Sequence, residues 1–306
     1  MRLGRRRFAL LVTLVCLGTA TLGLGQARAA NLVLPNWPQL LPANPFTPSG
    51  TVPLSFDVCK NGQPSCPAGV IKEMTDRWQP LDASCDHRAV FALTYLRTTQ
   101  EFARTITAAP GTFSDLPWIT HEDAVFAQLY FNSYDNYQAG RSVPLAWKIA
   151  FDAARNPNIE GMGDLLLGMN AHINRDLPYA LAHVGLVKSD GSSRKLDHDK
   201  VNQFLDRVID PLQVELAQRY DPIFTILDAE PSPADEVGAL QGIRLLRENA
   251  WRNAEDLVST RNNPLAHSLV EQNIEAQAAV FALNIVAVST IPGYGYYRDS
   301  YCAAAH

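Results

Sequence analysis

From about residue 69 to about residue 290, apolar side chains return at intervals of three and four, and no stretch alternates apolar and polar long enough to make a strand. That period gathers the apolar residues of each segment into one stripe of an α-helix, which must then be covered by another helix. In "DHRAVFALTYLRTTQEFARTITA" (86–108) the stripe is Val90, Phe91, Leu93, Tyr95, Leu96, Phe102 and Ile106. A second segment, "THEDAVFAQLYFNSYDNY", opens at Thr120, a capping residue type followed by acids suited to a first turn. Then come "PLAWKIAFDAAR", "IEGMGDLLLGMNAHINRDLPYALAHVGLV", "DHDKVNQFLDRVIDPLQVELAQRY", "PADEVGALQGIRLLRENAWRNAEDLVSTRN" and "PLAHSLVEQNIEAQAAVFALNIVAV", punctuated by Asp, Pro, Asn-Asn and Gly-Ser-Ser breakers. The fold expected is all-α, a single bundle of about seven helices spanning 69–290.

The two ends differ from this body. Residues 1–29 give a basic start, a short apolar run broken by Gly18, Gly23 and Gly25, and the small-residue site Ala27-Arg28-Ala29, the pattern of a signal peptide. Export through the general secretory route is expected, or through the twin-arginine route if Arg5-Arg6-Arg7-Phe8 is its motif. Cys16 follows Val15 rather than a small residue, which argues against a lipid anchor, and no later segment is apolar enough to span a bilayer. Residues 30–68 are rich in proline and turn residues, and read as an extended arm wrapping the body.

Cleavage removes five arginines and no acids, leaving 21 basic against 31 acidic residues, a net charge of −10 on 277 residues. Such a surface excludes nucleic acid as a partner, because phosphate binding needs clustered cations. Four cysteines remain, and in an exported chain they imply two disulfides with three possible pairings. Cys59 and Cys66 flank a turn-rich stretch that can close a short loop, which leaves Cys85 to pin the tail, 291–306, at Cys302. Zinc binding is the lesser alternative, since no C-x-x-C pair is present.

Chemistry concentrates in "GMNAHINRDLP" (168–178). At about 100° per residue, His172, Asp176 and His183 share one helix face within about 40°, as metal ligands or as a base and its orienting carboxylate would. The plain alternative is an intrahelical pair contributing about 0.3–0.5 kcal/mol. Pro178 cannot donate to the Asn174 carbonyl and should kink or end the helix before His183. Asn170 and Asn174 fall on the face opposite His172 in a regular helix.

His121 and Asp123 at a helix start are a second candidate pair, although Thr120-x-x-Asp123 also fits a capping box. Tyr130 and Tyr134 continue that helix as a phenolic stripe, which is either a pocket wall or a core edge. In "RLLRENAWRNAE" (244–255) the charges form an ion-pair ladder, and Trp251 among them either covers the core or stacks on a ligand. His267 with Glu271 and Glu275 repeats the four-residue spacing, while His87, His198 and His306 read as incidental. No G-x-S-x-G, H-E-x-x-H, Walker or dinucleotide fingerprint occurs.

The segments "DAVFAQLYF" (123–131), "GMNAHINRDLP" (168–178) and "ENAWRNAEDL" (248–257) resemble a bacterial family known as domain of unknown function 5995, over roughly residues 70–285. The resemblance implies a helical domain and assigns no activity. A weaker analogy runs to the helical zinc-dependent phospholipase C and P1-type nuclease fold, through the His-x-x-x-Asp fragment His172–Asp176. The chain departs from it in its mature terminus, Ala30 in place of a metal-binding Trp, and in its few histidines.

These features lead to an expectation of an exported hydrolase of phosphoester or other ester bonds, working through one or two divalent ions (zinc, manganese or iron). Its catalytic and ligating residues would be His172, Asp176, His121 and Asp123, with His183 as a further ligand, and Tyr130, Asn174, Arg175 and Trp251 would contact a small or lipid-like substrate. The rival expectation is a non-catalytic envelope or ligand-binding protein in which the His/Asp/Asn cluster fixes helix packing.

Overall fold

A computed structural model of the protein describes residue 44, residues 46–226 and residues 234–306, without the side chains of 226 and 234–240. The signal peptide, Cys16, and arm residues 30–43 and 45 lie outside the described residues. The elements are α1 (Cys66–Ala83), α2 (Ala89–Ala108), α3 (Leu116–Gln138), α4 (Leu145–Ala153), α5 (Gly161–Met169), a π-helical segment (Asn170–Asp176), α6 (Leu177–Val184), α7 (Lys195–Arg219), α8 (Ile223–Ile226), α9 (Ala234–Thr260), α10 (Pro264–Ser289) and α11 (Tyr294–Ala305). No strand forms among the described residues; two isolated bridges, Ile159–Thr290 and Val187–Ser193, are the only extended pairings there. The all-α bundle is therefore the architecture, with α5, the π segment and α6 running as one continuous rod.

Two helices extend beyond the expected boundaries. Residues 66–68, assigned to the arm by their prolines, begin α1, because Pro67 suits a first helical turn. Residues 294–305, read as a tail, form α11. The α1 terminus is a Schellman motif: Asp86 N–H donates to Leu81 O at 3.0 Å and Cys85 N–H to Asp82 O at 3.1 Å, with Cys85 at φ 54° where glycine is usual. That turn presents Cys85 to Cys302 on α11, and Cys59 pairs with Cys66, so both pairings read from the spacing are present.

The cap of α3 differs from the sequence reading. The Asp115 carboxylate accepts from Trp118 N–H at 3.2 Å and Pro117 occupies the first turn, so the helix begins before Thr120. Aspartate followed closely by proline is the stronger start signal. Thr120 consequently lies inside the helix and fully buried, and His121 sits in its second turn.

Helical structure continues through Pro178, so the proline does not end the rod. Leu177 N–H donates to the His172 carbonyl, five residues back, and the wider π turn accommodates the proline that an α-helix would reject. On the other side of the rod, Gly168 meets the Phe91 ring so closely that a Cβ there would lie 2.3 Å from it. This glycine sets the spacing between α2 and the rod.

The arm lies along α6 and α3. Val52, Leu54, Phe56 and Val58 face the body and pack on a core of Trp118, Phe204, Trp251 and Ile274. Val52 N–H donates to Ala182 O at 2.9 Å. A second core gathers Phe91, Tyr130, Trp147 and Leu216. Where the two cores meet, the helices part around a cavity. No helix among the described residues is long and apolar enough to cross a membrane.

Candidate functional site

The cavity has a volume of about 520 Å³, within the roughly 300–1,000 Å³ common for small-molecule sites. Its walls come from α2, α3, the rod, α7, α9 and α10, and most of the surface is apolar, with Phe204, Val208, Leu212, Phe281 and Ile285 typical. Phe281 and Val280 are exposed. Apolar spacing on separate helices supplies this surface, and it exists only once the bundle assembles.

Polar groups also line it: Tyr95 and Thr99 from α2, Glu122 and Asp123 from α3, His172 and Asn174 from the π segment, and Arg247 from α9. Several have buried atoms without a partner, namely Tyr95 Oη, Thr99 Oγ1, Asp123 Oδ2, both nitrogens of His172, Asn174 Oδ1 and Arg247 Nε. Buried polar atoms are nearly always paired in folded proteins, and these unpaired ones gather on one cavity. Burial drives their titration. It lifts the Glu122 carboxyl to about 7 against the opposing pull of Arg247, and lifts Asp123 well above its ordinary range, with the charge of Glu122 adding to the effect. Burial likewise raises the Tyr95 hydroxyl and lowers the His172 imidazolium, so His172 is neutral at pH 7.

His172 is held by rings. It lies flat on Phe126, centroids 3.5 Å apart and planes 5° from parallel, with Tyr95 at 4.3 Å. Asp176 does not orient it: Nδ1 to Oδ2 is 3.6 Å, longer than a hydrogen bond. Trp147 Nε1 donates to Asp176 Oδ2 at 2.7 Å and an Arg175 nitrogen donates to Oδ1 at 2.9 Å. Arg175 also reaches Glu275 at 2.6 Å and covers Tyr179, so it joins the rod to α10 and stands outside the cavity.

Asn170 and Asn174, on the far side from His172 in a regular helix, line the same cavity as His172. The amide orientations follow from their contacts. The Ala278 carbonyl can only accept, so Asn170 turns its NH2 to it (2.8 Å) and its oxygen to Asn174 Nδ2 (2.8 Å). Asn174 is thereby left offering an acceptor.

The five candidate ligands fall in three places. His172 and Asp123 line the cavity, Asp176 lies behind it, and His121 and His183 meet at the surface with Asp57, a residue the sequence reading did not single out. In that trio three ligand-type atoms lie within 4.8 Å of one another. The hydrogen bonds define its protonation. Leu54 N–H donates to His183 Nδ1 at 3.0 Å, which places the His183 proton on Nε2, pointed at Asp57 Oδ1 3.2 Å away. His121 Nε2 approaches the same oxygen at 2.7 Å. Burial works to raise the Asp57 carboxyl, but the bonds from His121, His183 and Lys60 outweigh it and hold the group at about 2. For His183 Nε2 to bind a cation it would have to surrender this proton while Nδ1 still faces a donor, so the trio is built as a clasp on the arm.

The other substrate candidates are core. Tyr130 packs edge-on to Phe91, 5.2 Å between centroids. Trp251 is fully buried, with Nε1 donating to Glu255 at 2.9 Å. The charges around it form a buried network: Arg252 bridges Glu248 and Glu255, and Lys195 reaches Glu248 at 2.6 Å. Two histidines read as incidental are also buried. His87 pairs with Asp164 at 2.7 Å, and His198 exchanges contacts with Arg247, whose nitrogen donates to the His198 carbonyl at 2.8 Å. Nothing in their local sequence marks them, because both partners come from distant helices.

The family model described as Family of unknown function (DUF5995) matches residues 68–288. The chain belongs to this family. The matched span contains the whole rod and every cavity-lining residue named above, while the arm, with Asp57, precedes it and α11 follows it. No curated protein and no solved structure matches the chain.

Proposed function

We propose that this DUF5995 protein binds a small, mostly apolar molecule with one polar end, the apolar body filling the cavity and the polar end meeting the unpaired groups of α2, α3 and the π segment. The observation that carries this reading is the combination of a cavity of about 520 Å³ with buried, unpartnered polar atoms on Tyr95, Thr99, Asp123, His172 and Asn174. The apolar wall would supply affinity at roughly 25 cal/mol per Å² buried, and the polar atoms would select the head group. The metal-dependent ester hydrolase expected from the sequence needs His172, Asp176, His121 and Asp123 around one centre, and their distribution over three places favours binding instead.

Chemistry on the bound molecule is a second reading, favoured by the Glu122 carboxyl lying near neutrality at about 7, where a general acid or base is most effective. Export would place the protein in an oxidising compartment, which the two disulfides support. Intact mass of the protein recovered outside the cytoplasm should correspond to a chain starting at Ala30.

The binding test is a titration of the purified chain with Nile red, a neutral apolar dye. Saturable uptake of one dye per chain is expected, displaced by 1-dodecanol and lost in Leu205→Trp, which fills the cavity from α7. Non-saturable uptake, or uptake unchanged in that variant, would sink the proposal.

A further inference from the structure

The polar end of the cavity is unequal in its hydrogen-bonding capacity, and the inequality bears on what can bind there. Its unpaired atoms include one fixed acceptor, Asn174 Oδ1, set by the chain of amides ending on the Ala278 carbonyl, and Asp123 Oδ2, which accepts once its carboxyl ionises. Glu122 also lines the cavity and adds acceptor capacity when ionised. Among the described cavity-lining residues, Arg247 Nε is a fixed donor without a partner. Tyr95, Thr99 and neutral His172 can each turn either way. Acceptors on an apolar cavity need a donor from the ligand.

Charge points in the same direction. Burial sets the Glu122 carboxyl at about 7 and favours the protonated form of Asp123, so a cation beside them would draw both toward ionisation, against the guanidinium of Arg247, whose charge also serves Asp199. An added anion would push both carboxyls further toward protonation and leave its own charge to Arg247 alone, whereas an added cation would be compensated as they ionise. Phe91, Tyr95 and Phe126 line the same cavity and offer ring faces and edges beside that end. Ring faces attract organic cations through the negative charge of their π systems.

We infer that the ligand is a hydrophobic amine, an organic cation whose protonated nitrogen sits against Asp123, Glu122 and Asn174 Oδ1 while its apolar body fills the space toward α7 and α10. This rests on the cavity being a binding site, as proposed above.

The test is displacement of Nile red at pH 7.5 by three probes of equal chain length, below their aggregation limits: 1-dodecylamine, 1-dodecanol and dodecanoate. The amine should displace the dye at least about tenfold more tightly than the alcohol, with dodecanoate the weakest, since a tenfold preference corresponds to one modest charge contact. Glu122→Gln/Asp123→Asn should erase the preference for amine over alcohol, bringing the ratio of the two affinities to within about threefold of one. Should that pair not fold, Asp123→Asn alone should reduce the preference. Alcohol binding with no preference for amine, dodecanoate binding as tightly as the amine, or a preference that survives the substitutions would overturn the inference and leave the cavity reading intact. Failure of all three probes to displace the dye would overturn both.

Discussion

Trp147 donates its indole N–H to Asp176 at 2.7 Å, taking the carboxylate oxygen nearest to His172. The two residues of the His-x-x-x-Asp fragment therefore serve different ends: Asp176 closes the rod against α4 and Arg175, and His172 faces the cavity unpaired.

Substitutions should separate them. Asp176→Ala strands a buried indole N–H and removes a partner of Arg175, and should cost about 3–5 kcal/mol in urea unfolding. His172→Phe replaces an imidazole without hydrogen bonds by a ring of similar shape between Phe126 and Tyr95, and should change stability by less than about 1 kcal/mol. A large loss in His172→Phe would show that its nitrogens are paired after all.

Glu122 gives a pH dependence of definite sign. Its carboxyl stands at about 7 in the fold against an ordinary 4.5, so the unfolded chain releases this proton first. Its contribution to stability is therefore greatest below pH 4.5, declines as pH rises to about 7, and is constant above that. Glu122→Gln should be more stable than wild type at pH 8 by roughly 2–4 kcal/mol, with the difference vanishing near pH 4. Thermal unfolding of both proteins across this range measures it, and parallel curves would refute the assignment.

The clasp of Asp57, His121 and His183 should be indifferent to metal. With the Leu54 N–H fixed on His183 Nδ1, neither a chelator nor added zinc should move the melting temperature by more than about 1 °C, well short of the several degrees that 1 kcal/mol produces. Asp57→Ala, in contrast, should speed hydrogen exchange at Val52 and Leu54, the arm amides that bond to α6. A zinc-dependent rise that disappears in His183→Ala would refute the tautomer deduced here.

The Cys85–Cys302 bond spans 217 residues in sequence. Cys302→Ser should cost about 2–5 kcal/mol and expose α11 to proteolysis, while Cys59→Ser/Cys66→Ser, which opens a short loop, should cost less. Equal losses would contradict the dependence on loop length.

The helices were legible because their apolar period is local, and the disulfide pairing because one cysteine pair flanks a turn. The π turn was not legible: Pro178 signals a break, and whether the break becomes a kink or a wider turn depends on Phe91, Trp147 and Ala278 packing around the rod. The cavity was hidden for a related reason, since its lining is contributed by α2, α3, α7, α9 and α10 as ordinary apolar stripes. Asp57 was missed within a run of prolines, although Val52, Leu54, Phe56 and Val58 alternate there and mark an extended segment with an inner face. Where the chain meets itself over long separations, period and spacing are silent.

Helices α2 to α10, and with them every wall of the cavity, lie between Cys85 and Cys302. The covalent bond thus makes this part of the protein a closed hoop. A protease that cuts one peptide bond anywhere from 86 to 301 cannot release a fragment, because the two pieces stay joined through sulfur until a reductant arrives. In a compartment shared with proteases, a nicked molecule would keep its walls together.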